Sequence, residues 1–188
     1  MTQGKWPRAA LSDGGEVGGK RLGVIGYGAI GQTSARLARG LGMTVIAFDA
    51  MLPPDAPIFA RTGVQAADLD TLLKTADVIT LHVPLVASTR GLIGADQLAR
   101  MRRGALLINT SRGHIVDLTA VANALRSGHL GGAAIDVFDV EPLTETQALD
   151  DCPNLLLTPH ISGLTKESNE RVSFMIADQV LAALAESL

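Results

Sequence analysis

Few folds accommodate the stretch Arg21-Leu-Gly-Val-Ile-Gly-Tyr-Gly-Ala-Ile-Gly31. An apolar run, Leu22 to Ile25, breaks at Gly26, Gly28 and Gly31, and a helical pattern follows at once. Ile30, Leu37 and Leu41 share one apolar face of that helix, with Ser34 and Ala38 small between them. A second apolar run, Thr44 to Phe48, ends on Asp49. This is a strand, a glycine turn, a helix, a second strand and an acid at its tip. In such a unit Gly26 permits the tight turn, Gly28 lets a pyrophosphate approach the backbone, and Gly31 lets helix and strand pack closely. The helix N-terminus offers free N–H groups and the positive end of its dipole to the phosphates. Asp49 stands where a carboxylate accepts hydrogen bonds from the adenosine ribose hydroxyls. Ala50, Met51 and Leu52 follow it, with no Arg or Lys to meet a 2′-phosphate, so NAD is expected rather than NADP. The alternative reading is a glycine-rich turn that binds nothing.

The same alternation continues along the chain. Val64–Ala66, Asp77–Val83, Ala105–Asn109, Gly132–Val137 and Leu155–Leu157 read as strands. Asp68–Lys74, with Leu69, Leu72 and Leu73 inward, and Ala95–Arg102 read as helices. Asp117 is a suitable N-cap for a helix carrying Leu118, Val121, Ala122 and Leu125. Thr165 caps a long final helix with Val172, Met175, Ile176, Val180 and Leu184 at core spacing. Residues 50–63, with Pro53, Pro54 and Pro57, read as mostly loop. The expected architecture is α/β, a doubly wound, mostly parallel Rossmann-type sheet of about seven strands with helices on both faces. Residues 1–19 are a polar lead-in, with Trp6 and Pro7 as its bulky features, and 20–188 form one nucleotide-binding domain.

Composition agrees. Aromatic residues are only 3% while hydrophobic residues are 47%, so the core must be aliphatic, as between a parallel sheet and its helices. The net charge of −3 and the scattered basic residues leave no nucleic-acid footprint. The single Cys152 excludes an internal disulfide and fits a reducing compartment. No apolar run reaches the ~18 residues of a membrane span. A cytoplasmic location is expected, with neither membrane nor nucleic acid as partner.

In an open α/β sheet, ligands bind beyond the carboxyl ends of the strands. There the chain places Asn109-Thr-Ser-Arg-Gly113, Asp136-Val-Phe-Asp-Val-Glu-Pro142 and Thr158-Pro-His-Ile-Ser162. An arginine, a glutamate and a histidine on successive strand ends suit hydride transfer to or from a 2-oxo/2-hydroxy acid. Arg112 offers a planar, permanently charged fork for the substrate carboxylate and carbonyl. His160 is the proton donor and acceptor, a residue type that ionises near neutrality. Glu141 orients its ring.

Five ordered segments closely resemble the NAD-binding domain of the D-isomer-specific 2-hydroxyacid dehydrogenases. They are Lys20–Gly31, His82-Val-Pro-Leu-Val-Ala-Ser-Thr-Arg-Gly-Leu-Ile93, Asn109–Asp117, Asp136–Pro142 and Thr158–Gly163. The resemblance implies a catalytic set of Arg112, Glu141 and His160. It implies NAD contacts at Tyr27, Gly28, Ala29, Ile30, Asp49, Val83, Pro84, Thr89, Thr110, Ser111, Arg112, Asp136, His160 and Gly163, with Asp136 on the nicotinamide carboxamide. The position of Ala29 is commonly Arg in the family, so here the pyrophosphate is left to backbone N–H groups. The resemblance further implies a homodimer with residues 85–105 as its arm. It implies a second, substrate-binding domain largely missing from this chain, which is then expected to bind NAD without useful turnover. A non-catalytic, NAD-sensing corepressor-like protein is the competing function.

The remaining candidates read more plainly. His82 is a satisfied histidine at the pocket edge rather than a proton donor. His114 and His129 face solvent, and Asp139 is a loop residue. Asp136 either caps a loop or meets the cofactor. The apolar face of the last helix is core or interface. Cys152 has no catalytic partner at recognisable spacing, and no set of residues suggests a metal.

Overall fold

The computed structural model describes residues 4, 8, 12, 14–144, 146 and 148–186. Trp6 and Pro7 of the expected lead-in lie outside the described residues. Seven strands form one parallel sheet. They are β1 (Arg21–Ile25), β2 (Thr44–Phe48), β3 (Gln65–Ala66), β4 (Val78–Leu81), β5 (Leu106–Asn109), β6 (Gly132–Ile135) and β7 (Leu155–Leu157). Their order is β3-β2-β1-β4-β5-β6-β7, so the winding reverses between β1 and β4. The crevice between the two strand ends at that reversal is where this architecture takes its ligands.

The helices are α1 (Ala29–Gly40), α2 (Pro57–Thr62), α3 (Leu69–Thr75), α4 (Ala95–Arg100), α5 (Leu118–Arg126) and α6 (Lys166–Glu186). Asp68 and Asp117 cap α3 and α5 by accepting from the N–H groups of Thr71 and Ala120. The α2 helix interrupts the mostly loop stretch expected over 50–63. Pro57 sits in its first turn, where the missing N–H costs nothing and the ring presets φ, and Phe59 anchors it in the core.

Strand residues alternate between two cores. Ile25, Ile46, Ile79, Leu81 and Leu107 pack with Leu72, Leu98 and Val121 beneath α3, α4 and α5. Leu22, Val24, Val45 and Ala47 pack with Ala35, Ala38 and Phe59 beneath α1 and α2. On this second face the covering stops short. Ile108, Ala134 and Leu156 continue the row of Val24 and Thr80 across the sheet, and Leu156 is 61% exposed.

Two apolar stripes do not meet the core of this chain. On α1 the buried residues are Gly31, Ala35 and Ala38, whereas Ile30, Leu37 and Leu41 are exposed. Gly31 lies inward because the end of β1 comes too close for any side chain there. On α6, Thr165 accepts from the Ser168 N–H as expected, but Val172, Met175, Ile176, Val180 and Leu184 are all exposed. Helical spacing shows which residues share a face, and it does not supply a partner for that face.

Candidate functional site

The glycine turn is built from backbone packing. Gly26 has φ +92°, and a Cβ there would stand 2.5 Å from the His82 carbonyl oxygen, where the turns after β1 and β4 press together. A Cβ on Gly31 would stand 2.1 Å from the Gly26 oxygen. Gly28 has open space where its Cβ would be, and as N-cap of α1 it makes no side-chain capping bond. A phosphate can therefore approach the helix N-terminus with no side chain in the way. Asp49 sits at the tip of β2, its Oδ2 accepting from the Tyr27 N–H at 2.7 Å and its Oδ1 from the Met51 N–H at 2.9 Å. That pins the carboxylate against the turn and leaves further lone pairs for a ribose. Tyr27 itself is 1% exposed, stacked on Phe59, with its hydroxyl donating to Thr62. Only its backbone faces the turn.

Beside this turn lies a cavity of about 760 Å³. Ile30, Val83, Pro84, Thr110, Ser111, Arg112, His160 and Gly163 line it. Ser34, Thr80, Ser162 and Leu164 also line it and were not anticipated. Ser34 sits one helical turn beyond Ile30 and Thr80 two residues before His82 on β4, so periodicity could have found both. Thr89 does not line the cavity. Its hydroxyl donates to the Pro84 oxygen at 2.6 Å and accepts from the Val86 N–H, holding the turn that presents Val83 and Pro84. The Ser111 hydroxyl donates to the Leu81 oxygen at 2.5 Å, tying the end of β5 to β4. Fully buried Asn109 accepts from the Ser111 N–H and donates to the Arg112 carbonyl, which shapes the turn beneath Arg112.

The His160–Glu141 pair comes from two segments. His160 Nδ1 lies 2.8 Å from Glu141 Oε2, and the other Glu141 oxygen accepts from the Phe138 N–H at 2.9 Å. Those two bonds, that to His160 first, hold the Glu141 carboxyl below the usual carboxylate range. An ionised Glu141 only accepts, so the network assigns the proton to Nδ1 and leaves Nε2 as the exchanging nitrogen.

Asp136 organises the histidine's loop. It is 3% exposed, and its carboxylate accepts from the Thr158 hydroxyl at 2.6 Å, the Ile161 N–H at 2.9 Å and the Ser162 N–H at 3.0 Å. Burial alone would raise its pKa, but these bonds outweigh burial and hold it at about 2. The His160 N–H donates to the Asp136 carbonyl at 2.8 Å, and His160 takes φ +55° to close the turn. Of the two sequence readings of Asp136, the loop-holding one has its bonds in the structure.

His82 Nε2 lies 3.1 Å from the Thr80 hydroxyl, and burial pushes its pKa down, which fits a neutral ring at the pocket edge. His114 and His129 differ from expectation. Half-buried His114 faces Asp139 at 3.4 Å, and His129 Nε2 lies 2.9 Å from the Leu98 oxygen. The His114–Asp139 pair joins the arginine loop to the glutamate loop, beside Gly113, where any Cβ would collide with the Phe138 backbone. No cluster among the described residues could hold a metal ion.

Comparison with known proteins places the chain. Residues 1–162 match the family described as D-isomer specific 2-hydroxyacid dehydrogenase, NAD binding domain. The chain is 50% identical to (S)-sulfolactate dehydrogenase of Chromohalobacter salexigens over 181 residues, 96% of this chain and 58% of that protein. The fold is similar to a D-lactate dehydrogenase of Sporolactobacillus sp., with TM-score 0.83, 37% identity and coverage of 96% of this chain and 56% of that one. It is also similar to the NAD-complexed D-isomer specific 2-hydroxyacid dehydrogenase of Lactobacillus delbrueckii ssp. bulgaricus, with TM-score 0.78, 33% identity and coverage of 96% and 57%. The chain thus spans about half the length of these relatives.

Proposed function

Because the chain belongs to the D-isomer specific 2-hydroxyacid dehydrogenases, through their NAD-binding domain, we propose that it forms the cofactor-binding and proton-handling half of an NAD-dependent oxidoreductase acting on a small 2-oxo/2-hydroxy acid. The observation that carries this reading is the 2.8 Å His160–Glu141 bond at the rim of a cavity that His160 shares with Arg112. The Gly26–Gly31 turn and Asp49 fit the pyrophosphate and ribose of NAD. The bound cofactor supplies a hydride to the substrate carbon, or accepts one from it.

The chain's own residues do the rest. Arg112 pairs with the substrate carboxylate and polarises the carbonyl. His160 Nε2 gives a proton to the carbonyl oxygen in reduction and takes it back in oxidation, so hydride and proton together make the alcohol. Glu141 fixes the ring tautomer and orientation. Asp136 fixes the loop that carries the ring, and Thr89 and Ser111 hold the backbone at the ends of β4 and β5.

A cytoplasmic homodimer is the accompanying proposal. It is supported by the single cysteine, by the family resemblance, and by the absence among the described residues of any helix long and apolar enough to cross a membrane. The test is NADH oxidation by the whole protein with a panel of 2-oxo acids, alongside His160→Gln and Arg112→Ala. We expect both variants to lose turnover. Full activity in both would sink the assignment.

A further inference from the structure

Three of the 16 basic residues that look scattered in the sequence converge in one place. Between α1 and α2 runs a cavity of about 570 Å³ lined by Arg36, Arg39, Arg61, Gln32, Thr33 and Thr62, with no carboxylate in its lining. It runs along α1 from Ala29, at the glycine turn, towards Arg39, about 15 Å at the rise of a helix. A chain with a net charge of −3 has here gathered three guanidinium groups and no counter-ion.

Stability does not account for all three. Arg39 has a structural task, since it donates to the Thr62 carbonyl at the end of α2 and lies over Gly63. That bond also fixes its guanidinium in place. Arg36 and Arg61 are exposed and belong to no ion pair or side-chain hydrogen bond among the described residues. Arg36 and Arg39 are three apart on one helix, a spacing at which like charges repel. Such a trio is neutralised best by an anion with several oxygens, because guanidinium forks match phosphate geometry.

We infer that this groove is a binding site for phosphate groups, separate from the pyrophosphate site at the N-terminus of α1. Phosphate can come from a free phosphorylated solute or from the 2′-phosphate of NADP, since Ala29 of the glycine turn lines one end of the groove. The site stands independently of the hydride-transfer reading, because it uses none of Arg112, Glu141 or His160.

The test is calorimetric titration of inorganic pyrophosphate into the protein already saturated with NADH, which occupies the glycine turn. Saturable binding is expected, weakened at least tenfold in Arg36→Ala/Arg61→Ala. NADH affinity and the thermal midpoint should stay unchanged in that variant, since both side chains are exposed. A parallel NADPH titration separates the sources. If NADPH binds the wild type as tightly as NADH and loses affinity in the variant, the phosphate is the cofactor's own. If NADPH stays weak while pyrophosphate binds, the ligand is a free solute. No saturable pyrophosphate binding in the presence of NADH, or binding equal in wild type and variant, overturns the site.

Discussion

The glycine turn after β1 and the loop pair after β6 and β7 meet at one crevice, yet they are made by opposite means. The turn is a backbone device. Gly26 and Gly31 exclude any side chain, and Gly28 leaves the helix N-terminus open. The loop pair is a side-chain device. Asp136 gathers Thr158, Ile161 and Ser162, and Glu141 then receives His160. The first should fail when a methyl group is added, and the second when a polar atom is exchanged.

The largest effect expected on the side-chain half is from His160→Gln in the whole protein. It should lower kcat by about a hundredfold or more, the scale of a general acid, while calorimetry shows a far smaller change in NADH affinity. A matching loss of NADH affinity would erase the division of labour. Gly31→Ala should do the reverse. The added Cβ would lie 2.1 Å from the Gly26 oxygen, so overpacking should cost about 2–3 kcal/mol in urea unfolding. NADH affinity should fall with it, and an unchanged affinity would show that α1 can slide away from the turn without consequence.

Asp136 sharpens the comparison through pH. Its carboxyl is depressed in the folded state to about 2 from an ordinary 3.8. The stability it contributes is therefore complete above pH 4 or so and is lost as pH falls through that window towards 2. Asp136→Asn should cost about 2 kcal/mol at neutral pH, with the gap to wild type closing on acidification. A gap that persists at pH 2 would mean the bonds to the carboxylate are not its source.

Glu141→Gln is the milder test of the relay. It keeps an acceptor for Nδ1 and removes the charge, so kcat/KM should fall by about tenfold. Because the Glu141 carboxyl is depressed, wild-type activity should survive to below the ordinary carboxylate range before Glu141 protonates. Identical acid limbs in wild type and variant would remove Glu141 from the relay. The smallest effect is expected from Leu37→Ser, which should change the unfolding free energy of this chain by less than about 0.5 kcal/mol. A larger loss would show that the outer stripe of α1 is covered after all.

The glycine turn was legible in the sequence because its determinants are contiguous. Three glycines, a preceding apolar run and an acid at fixed spacing describe one local unit. The parallel sheet was legible for a similar reason, since strands and helices alternate with separate hydrophobic periods. The helix over Pro57–Thr62 was not legible, because three prolines in five residues hide the one that sits in a first helical turn. The outward faces of α1 and α6 were not legible either, because periodicity is a property of one helix and burial a property of two surfaces.

The sequence by itself determined the fold class and the glycine turn, and it singled out Arg112, Glu141 and His160 as candidates. Only the tertiary structure decided what surrounds them. It spent Asp136 on the histidine's loop and Thr89 and Ser111 on neighbouring backbone. It turned Tyr27 into the core, paired His114 with Asp139, and brought Arg61 to Arg36 and Arg39. The reason is range. A hydrogen bond or a shared cavity depends on distances across 20 or 30 residues of chain, and those distances exist only once the sheet has set its strand order.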